Sequence, residues 1–138
     1  MTKVILVAHG CLAVEMKRSL EMIFGKAEQF FPVIFNEEDG LDRLEEKLKS
    51  ELDTSTGSTL IMADLYCGTP YNASCSLAMK KPEMDIQVVS GMSLPLVLET
   101  AALIDTLPLN EIVCKIQELS KTTVQSFSGR IADEEEEF

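Results

Sequence analysis

One histidine occurs among the 138 residues, His9, and it ends the run Val4-Ile5-Leu6-Val7-Ala8 just before Gly10. An apolar run this short, stopping at a His-Gly pair, predicts a buried parallel strand that delivers an imidazole to its C-terminal tip. In open α/β sheets that edge is where ligands bind. The plainer alternative is a loop histidine that merely ends a strand, and position alone does not separate the two. Any chemistry here that needs histidine must use this one side chain.

A second apolar run, Thr59-Leu60-Ile61-Met62-Ala63, stops at Asp64, and a third, Asp85 to Ser90, stops before Gly91. In a doubly wound sheet these three ends share one edge, so His9 and Asp64 can come within hydrogen-bond reach. A carboxylate accepting the Nδ1 proton fixes the imidazole tautomer and leaves Nε2 as a free, more basic lone pair. Such a nitrogen can attack an electrophile or bind a metal. Thr69-Pro70 reads as a helix start, with threonine at the cap and proline at the first helical position. That helix N-terminus and the glycines Gly10 and Gly68 favour an anion, because unpaired backbone N–H groups point at it. A nucleophilic histidine beside an anion cradle is what phosphoryl transfer requires. For Asp64 and Thr69 the competing reading is simple loop or helix capping.

Other chemistries have less support. His9, Cys11, Asp64 and Cys67 could be imagined around zinc, but their spacing matches no common zinc pattern. A Cys-His nucleophile pair would need Cys11 or Cys67 against His9, with no orienting group beyond Asp64. Neither Gly-x-Gly-x-x-Gly nor Gly-x4-Gly-Lys-Ser/Thr occurs, which argues against a nucleotide. Cys75 and Cys114 fall inside helical patterns and are expected to be small core residues.

The elements that must position these residues follow from periodicity. Leu12, Met16, Leu20, Ile23 and Phe24 repeat at helical spacing, and Gly25 is expected as a left-handed cap. Phe30 to Phe35 reads as a strand, at a sheet edge because of Pro32. Asp39 is expected to cap a helix whose buried stripe is Leu41, Leu44, Leu48 and Leu52. Pro95 opens a helix to about Ile104, and Pro108 precedes a last one with Ile112, Ile116 and Leu119 on one face. Thr123 to Ile131 reads either as a fraying helix end or as a short extra strand. The order β-α-β-α-β-α-β-α-α implies an α/β fold: an open, doubly wound sheet of four parallel strands with helices on both faces.

The length is that of one domain, with 46% hydrophobic residues. No apolar stretch nears the ~18 residues of a membrane span, and the N-terminus lacks the pattern of a secretory signal. With 12 Lys and Arg against 23 Asp and Glu, the formal net charge is −11. That disfavours a nucleic-acid partner, whose phosphates need cations, and suits a basic protein reached by electrostatic steering. Asp133 to Glu137 is expected to be a solvated tail. Four cysteines without Cys-x-x-Cys spacing fit a reduced, cytoplasmic chain.

Three segments carry a resemblance: Val4 to Gly10, Asp64 to Ser74, and Gly91 to Glu99. They resemble the signature blocks of the mannose-family IIA domain of the bacterial phosphoenolpyruvate-dependent sugar phosphotransferase system (PTS), in order and at family spacing over roughly residues 2 to 127. The middle block, Asp…Gly-Ser/Thr-Pro-x-Asn, is the most specific. The resemblance implies a phosphocarrier without metal or cofactor. His9 matches the histidine that accepts a phosphoryl group from the carrier protein HPr and passes it to a IIB component. IIB then serves the membrane IIC/IID complex that phosphorylates the sugar. Asp64 matches the family's aspartate partner, and Thr69 its small hydroxyl residue at the phosphoryl site, with Gly10 and Gly68 alongside. The family is homodimeric with an exchanged C-terminal strand, which would use Thr123 to Ile131 as a fifth, antiparallel strand. The implied layout is a IIA domain over residues 1–131, an acidic tail over 132–138, and IIB on a separate polypeptide. Cys11 stands where a bulky or aromatic residue is common, and Tyr66-Cys67 where a Trp-Gly type pair is common. Two relatives compete: the phosphocarrier subunit of a PTS-linked dihydroxyacetone kinase, and a regulatory module that binds according to its phosphorylation. The sugar is not specified by these residues.

Overall fold

The strand ends meet because of the order in which the strands are laid down. A computed structural model of the protein describes residues 1–130. The order is β1 (Lys3–His9), α1 (Leu12–Phe24), β2 (Phe30–Phe35), α2 (Leu41–Leu52), β3 (Thr59–Ala63), α3 (Thr69–Met79), β4 (Ile86–Val89), α4 (Leu94–Leu103) and α5 (Leu109–Leu119). A 3-10 turn, Ser120–Thr122, follows. The sheet is fully parallel, ordered β2-β1-β3-β4. The chain steps from β1 out to β2, crosses back over β1 to β3, and continues outward to β4. The direction of travel therefore reverses between β1 and β3, and the crevice at that reversal lies beyond the C-terminal ends of both strands.

The alternation along β1 explains the two layers of helices. Val4, Leu6 and Ala8 face one core with Leu60, Met62, Leu20, Val97, Ile112 and Ile116, beneath α1, α4 and α5. Ile5 and Val7 face the other, with Ile61, Ala63, Leu44, Leu48, Leu52 and Leu77, beneath α2 and α3. Val4 to Ala8 are fully buried, so β1 has no solvent face until it ends. The doubly wound sheet expected from the sequence is the one observed, and Pro32 lies on an edge strand as predicted.

Several local expectations are corrected. Gly40, not Asp39, is the residue before α2. Asp39 instead accepts the Asn36 N–H at 2.8 Å and the Lys47 ammonium at 2.6 Å, closing the turn ahead of the helix. Gly25 has φ +101° with ψ −170°, which is extended rather than left-handed helical. Ile23 is 63% exposed, Phe24 47% and Leu41 46%, each at an end of its helix. Cys114 is exposed and Cys75 half-buried, so only the latter contributes partly to packing. Residues 123–130 form neither helix nor strand in the single chain. Ile131 and the expected acidic tail lie outside the described residues.

Candidate functional site

His9 is the point at which a strand buried on both faces reaches solvent: its side chain is 50% exposed, directly after a run with none. The chain must then turn sharply into α1. Gly10 does this at φ +61°, a conformation costly for residues with a Cβ. The Gly10 N–H donates to the Phe35 carbonyl at 2.8 Å, which ties the turn to the end of β2.

From the other side comes Asp64, the residue after β3. One of its carboxylate oxygens, Oδ2, accepts two bonds from the same residue: the His9 backbone N–H at 3.0 Å and His9 Nδ1 at 2.9 Å. Since a carboxylate only accepts, Nδ1 carries the proton and Nε2 keeps its lone pair. The backbone bond holds Asp64 in place whatever the ring does. Its other oxygen, Oδ1, is buried and has no partner among the described residues. A desolvated, half-satisfied carboxylate gains most when positive charge develops on the ring beside it.

Gly68 lies beside the ring. A Cβ there would lie 3.4 Å from His9 Cε1 and 3.2 Å from the Leu65 carbonyl oxygen. The close approach is set by Cys67, which has φ +65°, the one non-glycine residue with positive φ among those described. The Asn72 amide donates to the Cys67 carbonyl at 3.2 Å and helps hold this turn. Glycine at position 67, as in the Trp-Gly type pair of the resembling family, would adopt the same angle without strain. The expectation that Thr69 caps α3 is off by one. Gly68 is the cap, its carbonyl accepting from the Asn72 N–H at 2.9 Å, and Thr69 and Pro70 are the first two helical residues. No side chain caps α3, so its first-turn N–H donors remain open for an anion. The half-buried Thr69 makes no hydrogen bond through its hydroxyl among the described residues.

Beyond the imidazole, toward β2, the surface changes character. A hollow beside His9 is lined by Gly10, Phe35, Asn36, Glu37 and Glu38. Both glutamates are exposed, whereas the neighbouring Asp39 is held below the usual carboxylate range by its hydrogen bond to Lys47. On the opposite rim the Tyr66 and Tyr71 rings meet at 5.2 Å. The Tyr66 hydroxyl is pushed up by its hydrogen bond to Cys67, and that of Tyr71 by its bond to Cys75. Cys11 is exposed at the head of α1 and caps nothing. Among the described residues, no three His, Cys, Asp or Glu side chains converge as metal ligands do.

The structure thus joins His9, Asp64, Gly10 and Gly68, with Thr69 opening the adjacent helix. Ser90 and Gly91 end on the far side of β3 from His9. Sequence reasoning missed Phe35, whose ring meets the imidazole edge-to-face at 5.5 Å and 72°. Its signal was register: Phe35 ends the strand that pairs with β1, directly opposite His9.

A family model described as "PTS system fructose IIA component" matches residues 3–117. The sorbose-specific EIIA component of Lacticaseibacillus casei is 37% identical over 130 residues, 94% of this chain and 93% of that protein. The fructose-specific EIIA component of Bacillus subtilis (strain 168) is 31% identical, over 95% of this chain and 90% of its own. The crystal structure of PTS component EIIA from Streptococcus agalactiae superposes with a TM-score of 0.87 at 27% identity, covering 94% of this chain and 100% of that one.

Proposed function

This chain belongs to the family of PTS fructose IIA components, and from that premise we propose that the phosphoryl group it handles is carried on Nε2 of His9. As a family member the chain is a phosphotransferase component and a sugar PTS phosphocarrier. The observation that carries the residue assignment is the 2.9 Å bond from His9 Nδ1 to Asp64 on a half-exposed ring, which leaves Nε2 bare and outward.

The step is a displacement at phosphorus. The Nε2 lone pair of His9 attacks the phosphorus of phospho-HPr, a new N–P bond forms, and the donor nitrogen leaves with the electron pair of its own N–P bond. The proton on Nδ1 stays where it is, so the phosphorylated ring is cationic, and Asp64 offsets that charge across one hydrogen bond. Gly10, Gly68 and Thr69 form the anion side of the site, where the N–H donors of α3 and the Thr69 hydroxyl meet the phosphoryl oxygens. Transfer onward to a IIB component repeats the displacement with His9 as the leaving group, and IIB supplies the membrane IIC/IID complex. Partner docking is steered by charge: the chain carries −11, and Glu37 and Glu38 line the hollow beside His9. We assign this activity to a domain over residues 1–131 working in the cytoplasm. No helix of the described residues is long and apolar enough to cross a membrane.

The carrier acts as a homodimer. Among the described residues β4 is an open edge strand, and a groove of about 480 Å³ beside it is lined by Val88, Val89 and Ile116 together with Gln87, Gln117 and Ser120. An open edge is what an added strand covers, and residues 123–131 of a second copy are the occupant. A sedimentation mass near 15.3 kDa would mean a monomer.

Phosphoenolpyruvate, enzyme I and HPr together should place one acid-labile, base-stable phosphoryl group on each chain. His9→Ala should take up none; equal labelling of that variant defeats the assignment.

A further inference from the structure

We infer that Phe35 is a positioning residue for phosphoryl transfer, holding the His9 imidazole so that Nε2 stays outward; the inference rests on His9 being the phosphoryl carrier. The imidazole turns about its Cβ–Cγ bond, and such a turn carries Nδ1 away from Asp64. The hydrogen bond to Asp64 opposes that turn at one atom. Packing opposes it elsewhere on the ring, where Phe35 meets the imidazole edge-to-face at 5.5 Å. Phe35 stands directly opposite His9 in the strand register.

Phe35 can serve this purpose because it does not move freely itself. β2 is an edge strand, and an edge-strand end would ordinarily fray. Here it is tied on both flanks. The Phe35 carbonyl accepts from the Gly10 N–H at 2.8 Å. The preceding carbonyl, of Ile34, accepts from Lys47 at 2.9 Å, and Lys47 is itself anchored to Asp39 at 2.6 Å. Phe35 also packs against the core beneath α2 and α3. The ring is therefore a fixed wall beside the imidazole. In-line attack depends on the angle of the lone pair as well as on its availability, so the constraint acts on the chemical step.

The test uses the chain's lone histidine, which gives one imidazole spectrum without overlap. Phe35→Ala, Phe35→Leu and Phe35→Tyr are compared with the parent in two measurements. The first is the long-range 1H–15N spectrum of the unphosphorylated protein. The parent should show Nδ1 protonated and Nε2 bare; Phe35→Ala should move both nitrogen shifts toward each other, as a mixed tautomer population does. The second is the kinetics of phosphorylation by phospho-HPr. Loss of an aromatic pair of ordinary strength predicts kcat about 3- to 10-fold lower with KM little changed. Phe35→Tyr should restore both readouts. Phe35→Leu, which keeps the core filled should alanine unfold the chain, should restore stability but not the tautomer. A folded Phe35→Ala or Phe35→Leu protein with parental nitrogen shifts and kcat overturns the inference. So does a rise in KM alone, which would make Phe35 a docking residue. A parent protein that takes up no phosphoryl group on His9 overturns the carrier assignment instead, and the spectra, which need no phosphorylation, tell the two failures apart.

Discussion

Lys3 and His9 stand at the two ends of the same buried strand, and each meets a phenylalanine of β2. The Lys3 ammonium lies 4.4 Å over the Phe31 ring, and the His9 ring meets Phe35 at 5.5 Å. Beyond that the two ends diverge. Lys3 is buried and spends all its donors, on the Glu51 carbonyl, the Thr54 hydroxyl at 2.7 Å and the Glu51 carboxylate at 3.1 Å. His9 is half exposed, spends one nitrogen on Asp64, and leaves the other without a partner among the described residues. A polar group whose bonding capacity is used up within the fold stabilises it. A group held firmly at one atom and left open at another is available for chemistry. The sheet's N-terminal edge is of the first kind and its C-terminal edge of the second, although one strand supplies both residues.

That contrast can be broken at either end. The largest effect is expected from Asp64→Asn, which keeps an acceptor oxygen for the His9 backbone N–H and Nδ1 but removes the negative charge that offsets the cationic phosphorylated ring. Phosphorylation of His9 should slow by about 10²- to 10³-fold, with the urea midpoint little moved; a parental rate in rapid-quench experiments would remove Asp64 from the mechanism. Lys3→Met should give the reverse pattern. Losing a charged, mostly buried donor costs about 1–2 kcal/mol in denaturant unfolding, less than for full burial because Glu51 is 33% exposed. The phosphorylation rate should be unchanged, and a slowed rate in the folded variant would undo the division into a structural and a chemical end.

Smaller changes sharpen the comparison. A non-glycine residue in the left-handed region costs about 1–2 kcal/mol, of which glycine returns about 0.4–1 through the unfolded chain. Cys67→Gly should therefore stabilise by about 0.5 kcal/mol, read as a higher urea midpoint; a lower midpoint would mean that the φ of +65° stores no strain. The smallest effect concerns Asp39. Its folded pKa lies below the ordinary 3.8 because of Lys47. A depressed carboxyl pKa contributes stability above the unfolded value and loses it as pH falls through the folded one. The gap in stability between the parent and Asp39→Asn should be present near neutral pH and close as pH drops below 3.8; a gap independent of pH would contradict the ion pair.

Local pattern in this sequence settles what each segment is. Five consecutive apolar residues before His9, and four before Asp64, read as interior strands buried on both faces, and the helical patterns between them imply a parallel sheet. Glycines at 10 and 68 and proline at 70 mark turns by their own stereochemistry. These are short-range properties, and so the architecture, His9 at a strand tip and the anion-favouring helix start were legible in order along the chain. What tertiary structure decided is adjacency. Strand order brings Asp64 onto His9 and leaves Ser90 and Gly91 on the far side of β3. Register sets Phe35 opposite the imidazole, a role invisible in a residue that reads only as the end of an edge strand. Leu41, which periodicity placed in a buried stripe, lies exposed at the start of α2, as do Ile23 and Phe24 at the end of α1. Residues 123–130, which the sequence reads either as a helix end or as a strand, form neither.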